Sequence, residues 1–185
     1  MRDTKLRIML YLTILSVISF LLMYVMEIPI LSLVGMPGFE FLKYDLSEVV
    51  ALVAGFIFGP VAGMIVIGLK SVLFFFSGKN TTGWVGLAAS LTAGLSLVAG
   101  STILYKIKQS KVNLFIGIVI GTIAMTILML LFNYFVFLPL YGIEANAFWI
   151  TGLAAFNILK GLLSGVFSVI LYQLLKKRVE TFLNK

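Results

Sequence analysis

"LSEVVALVAGFIFGPVAGMIVIGLKSVLFFF", residues 46–76, decides the fold. Read as one kinked helix, it gives the chain five membrane crossings; read as two helices meeting at Gly59-Pro60, it gives six. Proline lacks an amide donor and clashes with the preceding turn, so "FIFGPVAG" favours a tight turn. The expected pieces are a helix of about 13 residues, 46–58, and one of about 17, 60–76; the first is short for a span and needs protein neighbours or a thinned bilayer.

Outward from this block, apolar runs long enough to cross a bilayer recur at about 6–26, 82–105, 112–138 and 148–175. The chain of 185 residues is 61% hydrophobic and 11% charged, which excludes a soluble globular domain. Residues 1–185 are expected to form a single integral-membrane domain of six helices, all-α, with a long outer loop after the first. The charged start followed by an apolar run resembles a signal sequence, but the run is too long and lacks a small-residue cleavage site, so a retained helix is expected.

Charge tests the helix count, because cytoplasmic loops are rich in Lys and Arg. Arg2, Lys5 and Arg7 precede the first helix, Lys106, Lys108 and Lys111 separate the fourth and fifth, and Lys176, Lys177, Arg178 and Lys185 follow the sixth. Six crossings with both termini inside put all of these on one side and Glu27, Glu40, Asp45, Glu48 and Glu144 on the other. Five crossings divide the basic termini between the two faces. The net charge of +7 is thus a topology signal and makes no case for nucleic acid.

Absent residues narrow the chemistry. With no cysteine and no histidine, disulfides, thiol chemistry, the commonest metal ligand and the usual general base are missing, and no metal site is expected. "FSGKNT" lacks the upstream glycine of a P-loop and places Asn80 where Ser or Thr is needed. Small residues at four-residue spacing, such as Gly55, Gly59 and Gly63 or Gly117 and Gly121, indicate close helix packing.

Ionisable groups inside a bilayer are costly unless they snorkel, pair or line a cavity. Lys70 lies about six residues from the outer end of the third helix, within reach of the interface by snorkelling. Lys160 lies about twelve residues, roughly 18 Å, into the sixth helix and is expected to face the protein. With the acidic residues assigned to the outer loops, Lys160 is expected to have no carboxylate partner, which argues against a proton relay. Asn157, Lys160, Gly161, Ser164 and Ser168 share one helical face, and Asn133 supplies a second buried amide near the end of the fifth helix. A lone membrane asparagine is more commonly an interhelical hydrogen bond than a ligand; two with a lysine point to a cavity. Trp149 reads as an interfacial aromatic. The first loop, about twenty residues long, has the length of a lid.

The series "FLKYDLSEVVALVAGFIFGPVAGMIVIGLK", "NYF" and "FNILKG" resembles the riboflavin-binding S components of energy-coupling factor (ECF) transporters over nearly the whole chain. The resemblance implies a high-affinity riboflavin site, open also to FMN, near the outer face and covered by the first loop. The flavin is then cargo rather than cofactor, and the chain is no enzyme. The resemblance also implies a prokaryotic plasma membrane, a membrane coupling subunit and two cytoplasmic ATPase subunits as partners. By motif it assigns substrate binding to Asn133, Asn157, Lys160, Phe41, Leu42 and Lys43, with Trp84, Gly86 and Gly161 as further lining residues. The Ala-x-x-x-Ala pattern such proteins often carry on the first helix for docking is missing; Thr13, Ser16 and Ser19 are the small residues there. Alternatives are an S component for another vitamin or a purine-like substrate, a membrane enzyme using Lys160, and a purely structural bundle.

Overall fold

The computed structural model describes residues 2–80 and 82–183. The side chains of Arg2, Lys177 and Arg178, and Lys185 altogether, lie outside the described residues. The described chain is helical: α1 (Arg2–Val25), α2 (Ile30–Leu33), α3 (Ser47–Phe58), α4 (Pro60–Phe76), α5 (Gly83–Ile107), α6 (Lys111–Phe132), α7 (Leu138–Leu140) and α8 (Ala147–Leu183). Among the described residues, four stretches are long and apolar enough to cross a membrane: Lys5–Val25, Gly83–Ile107, Lys111–Leu140 and Ala147–Lys176. Helices α3 and α4 are apolar but shorter.

The deciding stretch forms two helices joined by Gly59 alone. Gly59 has φ +102°, a backbone conformation that costs a side-chain-bearing residue, and Pro60 opens α4 where its missing N–H is harmless. The two helices double back on each other, so that Lys70, ten residues beyond the turn, meets Ser47 and Glu48 at the far end of α3.

Helix α3 is the centre of the bundle. It packs against α1, α4, α5 and α8, and ten of its twelve residues, Ser47 to Phe56, are buried. A helix apolar on every side needs such enclosure, and enclosure by protein removes the requirement that it span the bilayer alone. At the end distant from the first loop, Tyr105 of α5 and Tyr172 of α8 share a hydroxyl–hydroxyl hydrogen bond of 2.7 Å beside Phe56.

The first loop is folded into the protein. Paired backbone hydrogen bonds of 2.9 and 2.8 Å between Ile28 and Tyr44 clasp its base, and α2, a single turn of helix, forms within it. Phe39 is fully buried and lies against Gly152 of α8 so closely that a Cβ there would overlap the ring. Trp149, expected at the interface, packs on Phe39 with ring centroids 5.1 Å apart. These contacts build a second small core from Leu31, Phe39, Tyr44 and Phe156.

Helix α6 does not stop before Pro139 as the sequence suggests. One wide π turn, Asn133–Phe137, carries it into α7, which contains Pro139. Proline withholds an N–H from the ladder, and a widened turn accommodates the gap while displacing the side chains around it. Asn133 stands at the start of that turn.

Candidate functional site

Below the first loop lies a cavity of about 380 Å³, bounded by the end of α1, the loop, α4, α5, the π turn and α8. Its polar lining includes Asn133, Asn157 and Lys160; Phe74, Val85, Ala89, Met129, Leu153 and Phe156 form apolar walls. Clefts of this size with a few convergent polar groups are typical small-molecule sites.

The helical phase of α8 sets the polar wall. Asn157, Lys160, Ser164 and Ser168 are all buried, as their shared face requires. Asn157 donates one amide hydrogen to its own helix at Leu153 O, 2.7 Å, and Asn133 does the same to Met129 O, also 2.7 Å. Each such bond fixes the amide plane, and a primary amide has further donor and acceptor capacity for a partner.

The expectation that Lys160 lacks a carboxylate partner is wrong. Its Nζ lies 2.9 Å from Glu48 Oε1, and the same oxygen receives Lys70 Nζ at 3.1 Å. Lys70 is fully buried and does not snorkel; it also donates to Ser47 Oγ at 2.5 Å. The error came from depth. The six-crossing charge pattern puts Glu48 on the outer side, but the inward-folded loop starts α3 inside the bundle, level with the fourteenth residue of α8. Asp45 sets this start: its Oδ1 accepts the Ser47 N–H at 2.8 Å, and Glu48 occupies the first turn, where the helix dipole favours a negative charge. The signal in the sequence was "YDLSE", an aspartate just ahead of a helix start and a glutamate in its first turn.

The loop supplies the mouth. Phe41, Leu42 and Lys43 all border the cavity, and Phe41 is half exposed. Lys43 pairs with Glu27 at 2.5 Å; Lys79, from the α4–α5 connection, approaches the same carboxylate oxygen at 3.6 Å and donates to Tyr24 O. At the loop tip the Gly38 N–H donates to Glu40 Oε1 at 3.0 Å and holds that carboxyl below its usual range. Burial pushes the Tyr44 phenol upward from its ordinary value.

Of the residues singled out in the sequence, the structure brings Asn133, Asn157, Lys160, Phe41, Leu42, Lys43 and Gly86 to one cavity. Trp84 and Gly161 stand apart from its lining. Trp84 is 72% exposed and lies against Phe75, because its position in the first turn of α5 turns it outward. Gly161 falls on the side of α8 that meets Thr122 of α6. Asp45, Phe74, Ser90, Phe156 and the mouth residues Glu27 and Lys79 also border the cavity, and nothing in their local sequence marks them as lining residues.

Similar proteins carry this arrangement into a family. Residues 7–172 match the family described as ECF transporter, substrate-specific component. A riboflavin transporter of Staphylococcus aureus, RibU, is 34% identical over 181 residues, covering 92% of this chain and 89% of that protein. The riboflavin transporter FmnP of Bacillus subtilis is 34% identical over 152 residues, 76% of this chain and 79% of its own. A solved S component of a bacterial ECF transporter superposes with a TM-score of 0.80 at 35% identity, covering 98% of this chain and 99% of the other. These are transport proteins rather than enzymes, and this chain belongs to the same family, the substrate-specific components of ECF transporters.

Proposed function

We propose that this chain captures riboflavin, and FMN by the same ring, in the cavity beneath its first loop and presents it for import. The observation that carries the reading is the lining: two fixed amides and an ammonium set among aromatic and aliphatic walls. A flavin has matching parts, a flat apolar ring end, an imide and carbonyl edge, and a hydroxylated tail. Amides can donate to and accept from the imide edge, and lysine donates to a carbonyl or hydroxyl oxygen. The relatives named as riboflavin transporters support the same substrate. The flavin is cargo, and no covalent step is involved.

In this reading six helices, α1, α3, α4, α5, α6 and α8, cross a prokaryotic plasma membrane with both termini inside. The distribution of Lys and Arg supports that orientation, with Lys106, Lys108 and Lys111 in the inner α5–α6 connection. The first loop acts as the lid over the cavity. Energy comes from partners, a membrane coupling subunit with two cytoplasmic ATPases, consistent with a sequence that carries no P-loop. Of the small residues on α1, Thr13 is exposed and free to meet a coupling partner, whereas Ser16 and Ser19 are buried within the bundle.

The test is flavin absorbance in protein purified without added ligand, followed by a thermal-shift panel of vitamins and purines. Riboflavin should give the largest stabilisation. A protein that co-purifies without flavin and responds to another vitamin would reassign the substrate.

A further inference from the structure

The buried charges behind the polar wall have no role in the reading so far. Lys160 stands in the cavity wall, whereas Glu48 and Lys70 lie behind it, with side chains 1% and 0% exposed. Glu48 Oε1 holds both ammonium groups, at 2.9 Å from Lys160 and 3.1 Å from Lys70. Lys70 is anchored on Ser47 Oγ, and the Ser47 carbonyl in turn accepts from Ser19 of α1 at 2.8 Å. Four elements, α1, α3, α4 and α8, thus meet at one carboxylate and the serine beside it.

We propose that Glu48 is a positioning residue for ligand binding, resting on the reading of this cavity as the riboflavin site. It fixes the Lys160 ammonium at the wall, and Lys70 is its permanent counter-ion. An ammonium has three donors; with one committed to Glu48, the others serve an acceptor in the cavity. Were Lys160 the sole partner of Glu48, drawing it toward a ligand would strip a buried carboxylate of its compensation, which is costly. Lys70 removes that cost, because Glu48 keeps a second partner while Lys160 shares its ammonium between Glu48 and the ligand. Asp45, the other charge facing this floor, balances the set: Asp45 and Glu48 against Lys70 and Lys160 sum to zero. The floor therefore suits a neutral, acceptor-bearing edge such as a ring carbonyl. A carboxylate or phosphate placed there would leave the buried floor with a net negative charge.

The experiment is a riboflavin titration, followed by flavin fluorescence quenching, on the full chain and its variants Glu48→Gln, Lys160→Met, Glu48→Gln/Lys160→Met and Glu48→Asp. Glu48→Gln should weaken binding about tenfold or more, and Lys160→Met by a similar factor. Because Glu48 acts through Lys160, the double variant should be no weaker than Lys160→Met alone, and Glu48→Asp should recover part of the loss. Additive losses, or wild-type affinity in Glu48→Gln, would overturn the positioning role. If Glu48→Gln does not fold, Glu48→Gln/Lys70→Met removes one buried charge of each sign; it should fold and bind weakly, and wild-type affinity there would overturn the proposal. Wild-type protein that ignores riboflavin contradicts the substrate and the positioning role together, whereas normal wild-type binding with an unaffected Glu48→Gln contradicts the positioning role alone.

Discussion

The cavity is framed by two sets of the same composition, Lys70–Glu48–Lys160 behind its floor and Lys43–Glu27–Lys79 at its mouth. In each, one glutamate oxygen faces two lysines, and in each the three groups come from different parts of the chain. They differ in water. The floor glutamate is 1% exposed, while at the mouth Glu27, Lys43 and Lys79 are 20%, 47% and 36% exposed. The same charges are therefore a rigid part of the site below and a weak, exchangeable fastening above. A buried pair that loses one member leaves an uncompensated charge, whereas exposed pairs are solvated and screened.

The largest expected effect comes from breaking the floor. Glu48→Gln should destabilise the protein by about 3 to 5 kcal/mol, measured as a fall in the melting temperature of ligand-free protein, because two lysines lose their carboxylate. Removing Lys70 as well should restore much of that stability. Next is Asn157→Ala, which takes away one of the polar grips and should cost riboflavin affinity about 1 to 3 kcal/mol while leaving the charge set intact. Gly59→Ala tests the hairpin that carries Lys70 to Glu48; at φ +102° a Cβ is strained, and a loss of about 1 to 2 kcal/mol in stability is expected. The smallest effect belongs to the mouth. Glu27→Gln should change riboflavin affinity by no more than about 1 kcal/mol, and by less as salt is raised. A mouth variant that costs as much as a floor variant would erase the distinction between the two sets.

The helices were legible because their signals are local. A proline after a glycine in an apolar run marks the α3–α4 turn, and the long apolar runs mark α1, α5, α6 and α8 without reference to packing. The polar face of α8 was legible for the same reason, since helical phase alone aligns Asn157, Lys160, Ser164 and Ser168. What could not be read was which apolar residues face protein and which face lipid, because both are hydrophobic. Phe39 is fully buried and Phe41 half exposed, yet the two are the same residue type two positions apart in one loop. That ambiguity hid the inward course of the first loop. It also hid the depth of Glu48, and with it the partner of Lys160. The wide turn at Asn133 escaped for a related reason: Pro139 announces a disturbance in the helix, but whether the chain breaks or widens depends on the walls around it.

The most direct measurement is an equilibrium titration of riboflavin into purified wild-type protein beside Asn157→Ala, Glu48→Gln and Glu27→Gln, read by quenching of flavin fluorescence. The expected result is saturable binding of one riboflavin per chain, strongly weakened by Asn157→Ala and Glu48→Gln and nearly unchanged by the mouth variant. Absence of quenching in the wild type, or equal affinity in all four proteins, would contradict a riboflavin site built on the buried polar wall.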